Sequence, residues 1–91
     1  GIYYSNGTDS TAMALNEIID RLANDPSPDY NRIMEELKQY RNDPRVLNLE
    51  GVIEYRRHRR HAAEQAFREA AQMGDEQAAV NLQIVENNKK R

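Results

Sequence analysis

Ninety-one residues suffice for one hydrophobic core but not for two, which points to a single folded unit. Leu, Ile, Val and Phe number only 17, a shortage typical of disordered chains, yet the net charge is just −2 and ten alanines suit helices that pack closely. The absence of cysteine excludes a disulfide framework and a thiolate metal site. No apolar run approaches the ~20 residues that cross a bilayer, so direct membrane insertion is not expected.

The chain opens with residues 1–8, which contain the turn signal Asn6-Gly7, lack helical periodicity and read as a tail or linker. Gly1 in place of an initiator Met, followed by Ile2-Tyr3-Tyr4, reads as an expression scar on part of a longer chain. Asn6-Gly7-Thr8 matches the glycosylation sequon, a pattern that polar loops meet by chance.

Five helices follow. Asp9 or Ser10 can cap the first, about 10–24, whose Leu15, Ile18, Ile19 and Leu22 share one face. Asn24-Asp25-Pro26 ends it, and Ser27 with Pro28 at the first helical position opens a second over about 28–41, with Tyr30, Ile33, Met34, Leu37 and Tyr40 as its stripe. Asn42-Asp43-Pro44 starts the third, about 44–57, carrying Val46, Leu49 and Ile53. Gly51 within it costs roughly 1 kcal/mol relative to Ala, which implies that a neighbouring helix crosses too near for a side chain. After a basic turn the fourth helix, about 61–73, presents Ala63, Ala66, Phe67 and Ala70 and stops at Gly74; Asp75 can cap a fifth, about 76–88, with Ala78, Leu82 and Val85.

Alternate helices begin about 32 to 34 residues apart, the period of helix-pair repeats. Within the second pair, Gly51, Ala63, Phe67 and Ala70 are separated by 12, 4 and 3 residues, as in the tetratricopeptide (TPR) consensus that this segment resembles. Glu50 stands where that consensus has Leu, Tyr55 falls one residue late, and His58 replaces the small residue of the turn. The first pair shares period and amphipathicity only. The resemblance implies an all-α fold, antiparallel helix pairs stacked as a short right-handed solenoid. Residues 49–53, 63–67 and 73–78 are also similar to C-terminal modules of bacterial cell-envelope proteins that follow an outer-membrane-protein-A-like domain, which implies a cell-envelope location.

The function implied by the resemblance is protein–protein interaction or scaffolding: a peptide or neighbouring domain bound on a concave face formed by Arg45, Asn48, Val52, Tyr55 and Arg56. The TPR clamp for a C-terminal carboxylate places Lys and Asn where this chain has Asn48 and Val52, so that clamp is not implied. An alternative lies in the turn Arg56-Arg57-His58-Arg59-Arg60-His61, where Arg56, Arg57, Arg59 and Arg60 could bind an anionic ligand or nucleic acid. Its bland counterpart is a solvated turn paired with Glu50, Glu54 or Glu64. Residues 9–43 hold eight acidic and four basic side chains and residues 44–91 seven and nine, too mild an asymmetry to favour nucleic acid. His58 and His61 are spaced for a metal but lie among arginines without a third ligand. Ser5, Ser10 and Ser27 fall in a tail or at caps, and Glu35-Glu36 and Glu64/Glu69 read as solvent faces, so neither catalysis nor a cofactor is expected.

Overall fold

The first three α-helices each begin where a short polar side chain takes up a free backbone amide. In the computed structural model, which describes residues 3–89 apart from Asn6, α1 spans Ser10–Asn24 and the Asp9 carboxylate accepts from the Ala12 amide. The readings placed on Gly1, Ile2, the sequon's Asn6 and the last two residues lie outside the described residues. α2 spans Tyr30–Leu37 and then tightens into a 3₁₀ turn, Lys38–Tyr40. Its start corrects the expectation of Ser27 and Pro28: Asp29 is the cap, accepting from the Arg32 amide at 3.2 Å, while the Ser27 amide is turned back onto Asp25. α3 spans Pro44–Arg56 behind the cap of Asp43, α4 spans Arg60–Gln72, and α5 spans Glu76–Lys89.

α3 and α4 end alike. The residues following them, His58 at φ 62° and Gly74 at φ 99°, reverse the chain in the left-handed region. The Arg59 amide then reaches the Glu54 carbonyl at 2.9 Å, and the Asp75 amide the Ala70 carbonyl at 3.1 Å. Gly74 does this without a side-chain penalty, whereas His58 carries one.

The short turn folds α4 back on α3, and small residues let the two backbones approach. A Cβ on Gly51 would lie 2.5 Å from Cε1 of Phe67, so the ring occupies the space that a side chain at 51 would need. Phe67, Ala63 and Ala70 are fully buried beneath α3. α4 packs in turn on α5, less extensively than on α3. α3 is the centre of the molecule: residues 46–53 are all buried, including Asn48 and Glu50. A helix covered on every side needs no polar stripe. Glu50 is satisfied by two bonds from Arg41, at 3.0 and 3.3 Å, and that contact raises the arginine's pKa.

The directions of α1, α3 and α5 follow from their cross-links. Asn48 meets Asn81, and seven residues on along each helix Tyr55 meets Asn88. Both pairs are 33 residues apart and in the same order, so α3 and α5 run parallel. Arg45 reaches Asp9 at one end of α1, and Arg56 reaches the Leu22 carbonyl at 3.5 Å at the other, which makes α1 parallel to α3 as well. Leu15, Ile18 and Leu22 of α1 and Ile33 and Leu37 of α2 join α3, α4 and α5 in one continuous core.

Candidate functional site

The most unusual chemistry in the interior is a pair of primary amides. α3 carries Asn48 and α5 carries Asn81, each fully buried and facing the other across the seam between the parallel helices. Asn81 Nδ2 donates to Asn48 Oδ1 at 2.9 Å, which leaves Asn48 Nδ2, the second Asn81 N–H and Asn81 Oδ1 to be satisfied. The backbone of Tyr3 supplies all three partners. Its amide donates to Asn81 Oδ1 at 2.8 Å, and its carbonyl accepts from Asn81 Nδ2 at 2.7 Å and from Asn48 Nδ2 at 3.0 Å.

Around this clasp Tyr3, Tyr4 and Ser5 lie outside any helix. Tyr3 is 50% exposed, and its hydrogen bonds to the helices are all made by its backbone. Tyr4 packs, partly buried, against the hydrophobic core. Ser5 Oγ donates to the Asp75 carboxylate at 2.6 Å. The segment read as a tail or linker is thus docked on the helices at three successive residues.

The five residues assigned to a concave face are not gathered on one open surface. Asn48 belongs to the clasp, whereas Val52 is buried in the core. The Tyr55 hydroxyl accepts from Asn88 at 2.8 Å, tying α3 to α5 further along. Arg45 is enclosed by carboxylates: it bonds Asp43 through Nε and Nη2 and reaches Asp9 at 3.0 Å. Hydrogen bonds to Arg45 hold both aspartates below the usual carboxylate range, and those to Asp43 and Asp9 push the guanidinium up in turn. Arg56 is exposed beyond its contact with Leu22.

The arginine turn divides into two pairs. Arg57 bonds Glu54 at 3.2 Å and Asn31 at 3.2 Å and lies 5.9 Å from the ring centroid of Tyr30; Arg59 stands 3.8 Å from Glu54. Among the described residues, Arg56 and Arg60 pair with no carboxylate, and they line a shallow cleft with Tyr55 and His58. Glu64, read as part of a solvent face, is buried, and Glu50 is taken by Arg41, which leaves Glu54 as the turn's acidic partner. Among the described residues, no three His, Asp or Glu side chains gather closely enough to hold a metal ion, and no helix is long and apolar enough to cross a membrane.

Neither Asn81 nor Tyr3 is singled out by the sequence. A signal for Asn81 existed, because it stands one repeat period, 33 residues, after Asn48. No local signal marks Tyr3, whose partner lies 78 residues away. No family model, no curated protein and no solved structure matches the chain.

Proposed function

We propose that the chain is a non-catalytic, TPR-like helical module that binds extended polypeptide by its backbone along the seam between α3 and α5. The observation that carries this reading is the Asn48–Asn81 clasp, which grips both the N–H and the C=O of one residue through its backbone. Two buried amides cannot stay unpartnered without a cost of about 1–3 kcal/mol for each lost partner, so the seam favours a ligand that supplies a backbone donor and acceptor together. Three parallel helices at successive repeat intervals support the solenoid arrangement expected of such a module. A cell-envelope protein interaction remains part of this proposal through the sequence resemblance. The exposed pair Arg56 and Arg60 favours a second reading, anion or nucleic-acid binding at the turn.

The test is an NMR titration of the isotope-labelled full chain with unstructured decapeptides and, separately, with heparin and an oligonucleotide. Peptides should shift the side-chain amides of Asn48 and Asn81. If no peptide moves them, while heparin moves the resonances of residues 56–60 at moderate salt, the second reading replaces the first.

A further inference from the structure

The seam between α3 and α5 is closed by the chain's own opening residues, and those residues specify the chemistry of a partner. We infer that residues 3–5 are a tethered stand-in for the ligand, and that the partner is an extended segment in which any residue is followed by an aromatic and then by a small hydroxyl residue. The inference rests on the backbone-binding reading above and deepens it.

Each position of the segment is read by a different part of the helices. At Tyr3 the main chain donates to Asn81 and accepts from Asn48 and Asn81 while the residue stands half in water, so this position tolerates any residue that keeps its amide N–H. At the next position the ring of Tyr4 packs against the core, which selects a large apolar or aromatic side chain. At the third, Ser5 donates to Asp75 at 2.6 Å, which selects a hydroxyl donor.

Why these residues act as a ligand, beyond serving as part of the fold, follows from how they are held. The clasp bonds address main-chain atoms that any extended peptide carries. Asn48 and Asn81 also bond one another directly, a contact that does not involve the segment, so its departure exposes a site whose two amides are still paired with each other. A short tether gives the segment an effective concentration of order mM, which a partner in trans must outcompete. The intact chain is therefore a self-occupied, weakened binder.

The experiment uses the full chain and a labelled, acetylated peptide of its own residues 2–7, Ile-Tyr-Tyr-Ser-Asn-Gly, measured by fluorescence anisotropy. Two variants loosen the docked segment: Tyr4→Ala with Ser5→Ala, and Tyr3→Pro, which deletes the amide that Asn81 accepts. Both should bind the peptide at least tenfold more tightly than the wild type while keeping its helical circular dichroism. Replacing the second Tyr of the peptide by Ala should weaken binding at least tenfold, and replacing its Ser by Ala several-fold. Adding Asn81→Asp to either loosened variant, which sets a carboxylate against the ligand carbonyl, should abolish binding.

Equal binding by wild type and both loosened chains overturns self-occupancy but leaves the backbone-binding reading intact. Tighter binding that is indifferent to the aromatic and hydroxyl residues overturns the proposed ligand class. If both loosened chains lose stability and bind no better, the segment is a structural strap and the inference fails. If, in addition, no decapeptide shifts Asn48 or Asn81 in the NMR titration, the functional reading fails with it.

Discussion

The two helix pairs, α1 with α2 and α3 with α4, share a period and, in their first helices, a direction, but not a way of packing. α3 and α4 meet through Gly51, Ala63 and Ala70, with one aromatic ring filling the gap, and their backbones lie close along their length. α1 and α2 contribute the larger Leu15, Ile18, Leu22, Ile33 and Leu37 to the common core, and their backbones hardly come within 8 Å of each other. Small residues make one pair a rigid wedge; large ones make the other a layer laid on it. The second pair and α5 carry the clasp, so the rigid region is the one that needs fixed geometry.

Removing the ring at the centre of the wedge should have the largest effect. Phe67→Ala should cost about 3–5 kcal/mol of unfolding free energy, because the cavity cannot be filled by a glycine opposite. Ile18→Ala, in the layered pair, should cost about 2–3 kcal/mol, since a buried side chain is lost but the neighbours can settle inward. Hydrogen exchange sharpens the contrast: amides of α1 and α2 should exchange through a partial opening that leaves α3, α4 and α5 protected. Uniform exchange across all five helices would mean that the two pairs are one cooperative unit.

Gly51 provides the third test, one of sign. A methyl group at 51 collides with the Phe67 ring, so Gly51→Ala should destabilise by about 1–2 kcal/mol despite the better helix propensity of alanine. With Phe67 already changed to Ala the collision disappears, and the same substitution should stabilise by up to about 1 kcal/mol. A double-mutant cycle by denaturant unfolding measures this reversal, and additivity of the two changes would contradict the wedge.

These contrasts also explain which parts of the molecule the sequence discloses. Helix periodicity reports the stripe that each helix buries, so the five elements and the small-residue contact at Gly51 are legible in order. The start of α2 is not: Ser27, Pro28 and Asp29 all suit a helix start, and the choice of Asp29 depends on the Asx turn that Asp25 makes with the Ser27 amide. The clasp is half legible. Asn48 stands out by its place in the repeat, but its burial depends on Asn81 and on Tyr3, and a three-residue segment with neither periodicity nor a cap carries no local mark of where it docks. Glu64 misleads for a related reason, since helical spacing alone does not tell how much of a helix its neighbours cover.

A smaller effect separates the ends of α3 and α4. His58 adopts the left-handed conformation that Gly74 adopts without strain. His58→Gly should therefore raise stability by about 0.5–1 kcal/mol, and Gly74→Ala, with no atom within 4 Å of the new methyl, should lower it by about 1 kcal/mol through backbone strain alone. Thermal unfolding of the two variants should move in opposite directions.

The link between the layered pair and the wedge at their N-terminal ends is electrostatic, and its contribution should depend on pH with a definite sign. Asp9 caps α1, Asp43 caps α3, and Arg45 bonds both. The two carboxylates hold their protons more weakly folded than unfolded, chiefly through those bonds to Arg45, so the unfolded chain binds more protons as the pH falls toward and below 3.8. Their stabilisation is complete above about pH 5 and is lost progressively below pH 4, as the folded carboxylates finally protonate. Arg45→Gln removes the charge and keeps the backbone amide that Asp43 caps. The melting temperature of this variant should lie below that of the wild type at pH 7, and the gap should close as the pH approaches 2. A gap of constant width would show that Arg45 joins the two pairs by packing, since packing does not titrate.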